Sequence, residues 1–338
     1  MKFTKRILPE FVLLDYIVPV IILIGIAIVL FVNVIPLGTP KVAGARVTFY
    51  AMTEGLDNYY EFKTAWRPRL FSTGLAAWTV NVSTELLSNK KSFLSAHTPL
   101  ELAVALWTVS WFALGALILV YFLKRRSLFY IFGLFACISF GYMTIVRASY
   151  ALRLYPWDLP SLFFFTIFVL LFIKKKYLWL LFIIPLGVGF KESIMILCVA
   201  FLLADLPWKQ RLYLFFIAGV LSLGVKIILD IVVHAPIFFT METGSEQNTY
   251  RSYNLSSFKT IVPFFINAGT LLAFYLLPSS GNKNITALKL ISIPFILGNL
   301  LFGVLTEYRI WFEVIPFALY VIDVKIYGDP LAEAPIIA

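Results

Sequence analysis

Charge is scarce in this sequence: Asp, Glu, Lys and Arg make up 14% of the 338 residues, where a soluble domain carries about 25%. That shortage excludes an ordinary soluble protein. Cysteine is nearly absent as well. The two present, Cys137 and Cys198, both lie inside apolar runs, so neither a disulfide framework nor a CxxC metal site can be built. The two histidines, His97 and His234, stand far apart and outside any HExxH-type pattern, which removes the usual zinc-hydrolase spacing. No phosphate-cradling nucleotide loop occurs. No repeat of about 20–50 residues and no pair of similar halves is visible.

Hydrophobicity is what the chain has in excess. It is 61% hydrophobic with a mean hydropathy of +0.89, and it holds 33 Phe and 8 Trp, as expected of helices that face lipid and carry aromatic residues at the interfaces. The net charge of +10 gathers in short clusters between apolar runs, where the positive-inside rule puts it; it does not point to nucleic acid. The pattern predicts an all-α polytopic transmembrane helical bundle of about ten spans. It forms a single domain over residues 1–338, with both termini cytoplasmic and residues 38–98 as the first extracytoplasmic loop.

The first span, about Tyr16 to Leu37, follows Lys2, Lys5 and Arg6 and lacks a small-residue cleavage site, so it reads as a retained helix. Further spans are predicted over Leu100–Leu123, Leu128–Val146, Leu159–Ile173, Leu212–Val233, Phe258–Leu277, Ile285–Val304 and Ile310–Val324. The run from Tyr177 to Leu206 is too long for one crossing. It reads as two short helices meeting at GlyPheLysGluSer, which moves Lys191 and Glu192 out of the hydrocarbon centre, where each charge costs about 2.5–3.5 kcal/mol. The clusters Lys124–Arg126 and Lys174–Lys176, with Lys209, Arg211 and Lys325, mark the cytoplasmic side.

On this topology the remaining charged motifs emerge on the outer side. The longest is EGLDNYYEFKTAWRPRL, Glu54 to Leu70, where acids, bases and aromatics crowd together; a plain linker would be rich in Gly and Ser. Downstream of it, FSTGLAAWTVNVSTELL predicts one or two helices lying in the interface. Asp57, with Glu54 as the other candidate, is placed to act as general base on an acceptor hydroxyl, and Tyr59, Tyr60, Arg67 and Arg69 are placed to bind substrate. Arg147 and Arg153 are closed by TyrProTrpAsp, which ends in Asp158, at a helix-to-loop boundary. Arginine's planar fork suits phosphate, although headgroup anchoring by the arginines and an N-cap role for Asp158 explain the same residues. Lys191 with Glu192, and Glu307 with Arg309, stand between tightly apolar spans and are placed to line the same outward cavity. Lys226 and Asp230, one helical turn apart, read as an intrahelical pair.

These segments, GLDNYYEFKTAWRPRL, RASYALRLYPWDLPSLFFF, LGVGFKESIMIL and TEYRIWFEVIPF, resemble the layout of the GT-C superfamily of polyprenyl-phosphate-dependent membrane glycosyltransferases. The resemblance implies an inverting enzyme that moves a sugar from a polyprenyl-phosphate donor to a lipid or glycan acceptor outside the cytoplasm. It implies no cofactor and no metal, membrane lipids as surroundings, and a bacterial plasma membrane as location, in the assembly of a cell-envelope glycan. The first-loop acid of that superfamily falls on Asp57 or Glu54. A polymerase or ligase of lipid-linked glycans, or a flippase, are the alternatives; charges confined to one surface favour transfer, and charges along a midplane path favour transport.

Overall fold

The computed structural model describes residues 9–34, 71, 74–76, 78–79, 82, 85, 99–147, 157–232, 277, 279, 282–302 and 313–329. Among the described residues the chain is helical and no strand occurs. In chain order the elements are α1 (Pro9–Val34), α2 (Pro99–Leu123), α3 (Ser127–Arg147), α4 (Asp158–Ile173), α5 (Tyr177–Val188), a 3-10 helix (Glu192–Leu203), α6 (Trp208–Val232), α7 (Lys283–Phe302) and α8 (Ile315–Tyr327). Among the described residues, three helical runs are long and apolar enough to cross a membrane: Leu13–Val32, Ala105–Ser139 and Trp208–Val232.

The run Ala105–Ser139 is not straight. Lys124 takes φ 53°, the left-handed region that ends a right-handed helix, and a single 3-10 turn, Lys124–Arg126, separates α2 from α3. A second basic turn, at Lys174–Lys176, separates α4 from α5, and there Lys175 takes φ 55°. Side chains bring the turns to one end of the bundle. Arg125 meets Asp15 of α1 at 2.7 Å, and Lys174 lies over the Phe122 ring of α2 at 4.3 Å. Lys175 meets Asp205, after the 3-10 helix, at 2.6 Å, and Arg126 meets Asp323 near the end of α8 at 2.8 Å. We call this the basic end. Helices α1, α3, α5 and α6 leave it, while α2, α4, the 3-10 helix and α8 run toward it.

At the centre stands α4, in which every residue except Phe163 and Leu171 is buried. Its phenylalanines knit neighbouring helices together: Phe165 packs on Phe295 of α7 at 5.7 Å and on Phe317 of α8 at 5.8 Å. In lipid the hydrophobic effect does not drive helices together, so close approach through small residues has to. Ala105, Ala116, Ala200 and Ala218 are fully buried, and a Cβ on Gly133 of α3 would come within 2.5 Å of the Leu319 side chain of α8. The outer helices show the complementary pattern: Ile21, Ile24 and Ile28 of α1 and Val220 and Ile228 of α6 are exposed, as lipid-facing stripes should be.

The predicted pair of short helices within Tyr177–Leu206 is present as α5 and the 3-10 helix, which pack on each other and on α6. The second member differs in kind. Its buried residues fall on Ile194, Leu197 and Ala200, and on Cys198 and Phe201, a period of three that matches the 3-10 repeat rather than 3.6. A 3-10 helix rises about 2.0 Å per residue, so these 12 residues reach about as far as 16 α-helical ones. The stretched geometry lets a short segment return from the far end to Asp205. Helix α8 also departs from expectation. It begins at Ile315, not Ile310, with Pro316 in its first turn, where proline's fixed φ and missing N–H cost nothing.

Candidate functional site

At the end opposite the basic turns, three helices that run toward the basic end begin with a carboxylate near their first turn: Asp158 in α4, Glu192 in the 3-10 helix and Glu313 just before α8. Helix N-termini carry partial positive charge, about half an elementary charge each, which gives these acids a favourable field. Helix α5 ends there instead, and Lys191 follows it with extended backbone (φ −157°, ψ 129°), a cation beside the negative end of a helix. We call this the acid end.

The side chains converge. Lys191 Nζ lies 2.8 Å from Glu313 Oε1 and 3.7 Å from Asp158 Oδ1. Glu313 Oε1 also accepts a hydrogen bond from Ser193 at 2.9 Å and another from Ser161 of α4. Burial separates the partners: the side chains of Asp158 and Glu313 are 0% and 2% exposed, while that of Lys191 is 13% exposed. Lys191 is thus less buried than the two carboxylates it pairs with. Beneath lies an aromatic floor in which Phe190 packs on Trp111 and on Phe164, each at 5.1 Å, and Trp111 packs on Phe163 at 5.1 Å.

A second group lies nearby. Lys226 Nζ holds both oxygens of Asp230, at 2.6 and 2.8 Å, the intrahelical pair that the spacing predicts. Glu192 lies within electrostatic reach of Asp230. Lys226 and Asp230 cancel one another. Asp158, Glu192 and Glu313 outnumber Lys191, so the described acid end carries an excess of negative charge that the helix dipoles offset in part.

The first loop is attached to this cluster. Phe71 N–H donates to the Gly189 carbonyl at 3.2 Å, and the Phe71 ring meets Phe190 edge-on at 6.0 Å. Glycine at 189 leaves room for this contact: a Cβ there would run into the Phe71 ring as it now lies. In sequence Phe71 directly follows the polar stretch Glu54–Leu70. Positions 71, 74–76, 78–79, 82 and 85 have helical backbone, with Ala76 buried and Trp78 exposed.

Of the site residues expected from sequence, the structure brings together Asp158 and Lys191, and Glu192 lies within electrostatic reach of Asp230. Asp158 does not cap α4. Trp157 holds that position, no side chain caps the helix end, and Asp158 belongs to the first turn. Arg147 closes α3, and since α3 starts at the basic end its backbone finishes at the acid end. Glu54, Asp57, Tyr59, Tyr60, Arg67, Arg69, Arg153, Glu307 and Arg309 lie outside the described residues. Glu313, Ser161 and Ser193 escaped sequence reading. Setting the last span at Ile310 buried Glu313 inside it; the ValIlePro that follows was the signal of a helix start.

Chemically, Lys191, paired with two buried carboxylates and itself partly exposed, is the cation that the described cluster could offer to an oxyanion. One lysine already shared by two carboxylates is insufficient to neutralise a phosphate, so such a ligand would need further cations. Compared with protein-family models, curated proteins and solved structures, the chain matches none.

Proposed function

We infer that this protein is a multi-pass membrane glycosyltransferase of about ten spans that moves a sugar from a polyprenyl-phosphate donor to a lipid or glycan acceptor on the extracytoplasmic side. The observation that carries the reading is the hydrogen bond from Phe71 to Gly189, which fixes the chain end of the polar first loop two residues from Lys191. A base in that loop and a cation at the bundle mouth would then share one site at one surface. By the positive-inside rule the basic end is cytoplasmic, which leaves the acid end outside. Asp57 or Glu54 would take the proton of the acceptor hydroxyl. Lys191, with Arg147, Arg153 and Arg309, would meet the departing lipid phosphate, and Tyr59, Tyr60, Arg67 and Arg69 would bind around it. The charge excess of the described cluster makes those arginines necessary to the proposal. The same positions fit assembly of a bacterial cell-envelope glycan.

A flippase would distribute its polar residues along a path through the bilayer. Among the described residues, the ion pair deep in a long helix, Lys226 with Asp230, lies about 27 Å along α6 from Trp208 at 1.5 Å per residue, close to the acid end instead of the middle. This favours chemistry at a surface.

The test uses membrane vesicles containing the full chain and a panel of radiolabelled polyprenyl-phosphate sugars. Transfer is expected for one donor, and Asp57→Asn is expected to abolish it with no loss of folded protein, since volume is kept and only the base is removed. Near-normal turnover in that variant would exclude Asp57 and leave Glu54. Vesicles that move an intact lipid-linked sugar between leaflets without transferring it would overturn the enzyme reading.

A further inference from the structure

The geometry points to Glu313 as a positioning residue for Lys191: its buried carboxylate, held by Ser161 and Ser193, fixes the ammonium in one place, where an incoming phosphate oxygen would meet it. Three chain segments meet in this one group. Ser161 belongs to α4, Lys191 and Ser193 to the start of the 3-10 helix, and Glu313 to the residues just before α8. A lysine side chain has four rotatable bonds and about 2 kcal/mol of rotamer entropy; alone in a turn it would sample solvent. Glu313 Oε1, at 2.8 Å, is the nearer of its two anions and takes three donors at once, so the oxygen itself is fixed before Lys191 binds it. Asp158, at 3.7 Å, supplies field more than direction.

The role of the pair in phosphate recognition rests on the glycosyltransferase reading; the positioning itself does not. The experiment therefore has one arm that needs no ligand. Full-length protein in nanodiscs is treated briefly with an amine-acylating reagent, and modification of each lysine is followed by mass spectrometry. In the natural protein Lys191 is expected to react more slowly than the exposed Lys175. Glu313→Gln keeps the shape and both serine contacts but releases the ammonium, and is expected to raise labelling of Lys191 about tenfold, the loss of one charge-assisted hydrogen bond, with Lys175 unchanged. Ser193→Ala, which leaves the ion pair in place, is expected to raise it about two- to threefold and carries the test alone if the glutamine variant does not fold. Unchanged Lys191 labelling in a folded variant overturns the positioning role.

The second arm measures binding of farnesyl phosphate in a double-mutant cycle. If Glu313 acts through Lys191, then Glu313→Gln in a Lys191→Gln background is expected to cost no further affinity, whereas independent losses would add and overturn the role. Should the natural protein not bind the probe while the labelling result holds, the donor-phosphate reading falls and the positioning stands.

Discussion

The two ends of the bundle bury the same kind of group and treat it differently. At the basic end Asp323, fully buried, takes Arg126 Nε at 2.8 and 3.0 Å and the Tyr130 hydroxyl at 2.8 Å. Arg126 goes on to the carbonyls of Asp323 and Gly328 and lies over the Tyr327 ring at 5.4 Å. One cation answers one anion, and the surplus donors of the guanidinium are spent on backbone. At the acid end a single ammonium serves Asp158 and Glu313 together. This balanced pair ties α3 to α8. Two buried carboxylates that share one cation are costly in an apolar bundle.

The comparison is tested most strongly by removing each carboxylate in turn. Asp323→Ala strands the Arg126 charge and the Tyr130 hydroxyl, and is expected to cost about 3–5 kcal/mol, read as a loss of unfolding free energy in detergent. Asp158→Asn leaves Lys191 with Glu313 and removes part of a charge excess, so it is expected to cost under about 1 kcal/mol. Equal losses at the two sites would abolish the distinction between a structural end and a functional one.

The next largest effect concerns the attachment of the first loop to the acid end. Gly189→Ala puts a methyl group into the Phe71 ring, and an overpacked contact of this sort costs about 1–3 kcal/mol. The side chain of Phe71 is itself partly exposed, so the ring is expected to move away rather than unfold the bundle. Limited proteolysis should then cut between residues 38 and 98 faster, with the melting temperature little changed. Gly189→Ala with natural protease resistance would show that the contact does not hold the loop.

Much of this arrangement was legible in the sequence because membrane insertion makes charge positional. Lys124–Arg126 and Lys174–Lys176 end helices where the sequence says they should, and Asp158–Ile173 begins within one residue of the expected span. The spacing of Lys226 and Asp230 gave their ion pair directly. What could not be read depends on tertiary placement. The period-three pattern of Ile194, Leu197 and Ala200 is buried in a uniformly apolar run, where every frame looks acceptable and only packing against α5 and α6 selects the 3-10 form. Glu313 was concealed by the same uniformity, because Ile310 and Trp311 read as span until Pro316 is taken as a helix start. Its partners Ser161 and Lys191 are far away in sequence, and no local pattern joins them.

The smallest expected effect belongs to the ion pair at the basic end that is exposed. Lys175 and Asp205 meet at 2.6 Å with both side chains more than half exposed. The hydrogen bond from Lys175, and then its charge, hold the Asp205 carboxyl below its usual range; the hydrogen bond to Asp205 raises Lys175 despite a small opposing effect of burial. A depressed carboxylate contributes stability above its unfolded value and loses it as pH falls through the folded one. A raised lysine contributes below its unfolded value and loses it as pH rises through the folded one. The pair is therefore present across the neutral range and fades only at the acid and alkaline extremes. Water and salt screen such contacts, so Asp205→Asn is expected to leave the melting temperature at pH 7 unchanged within error, in low salt and in molar salt alike. Asp323 lies at the same end with its charge out of water. If Asp205→Asn destabilised the protein as much as Asp323→Ala, proximity of opposite charges alone would hold this end together, and burial, which is the ground for separating the structural pair from the decorative one, would have no part in it.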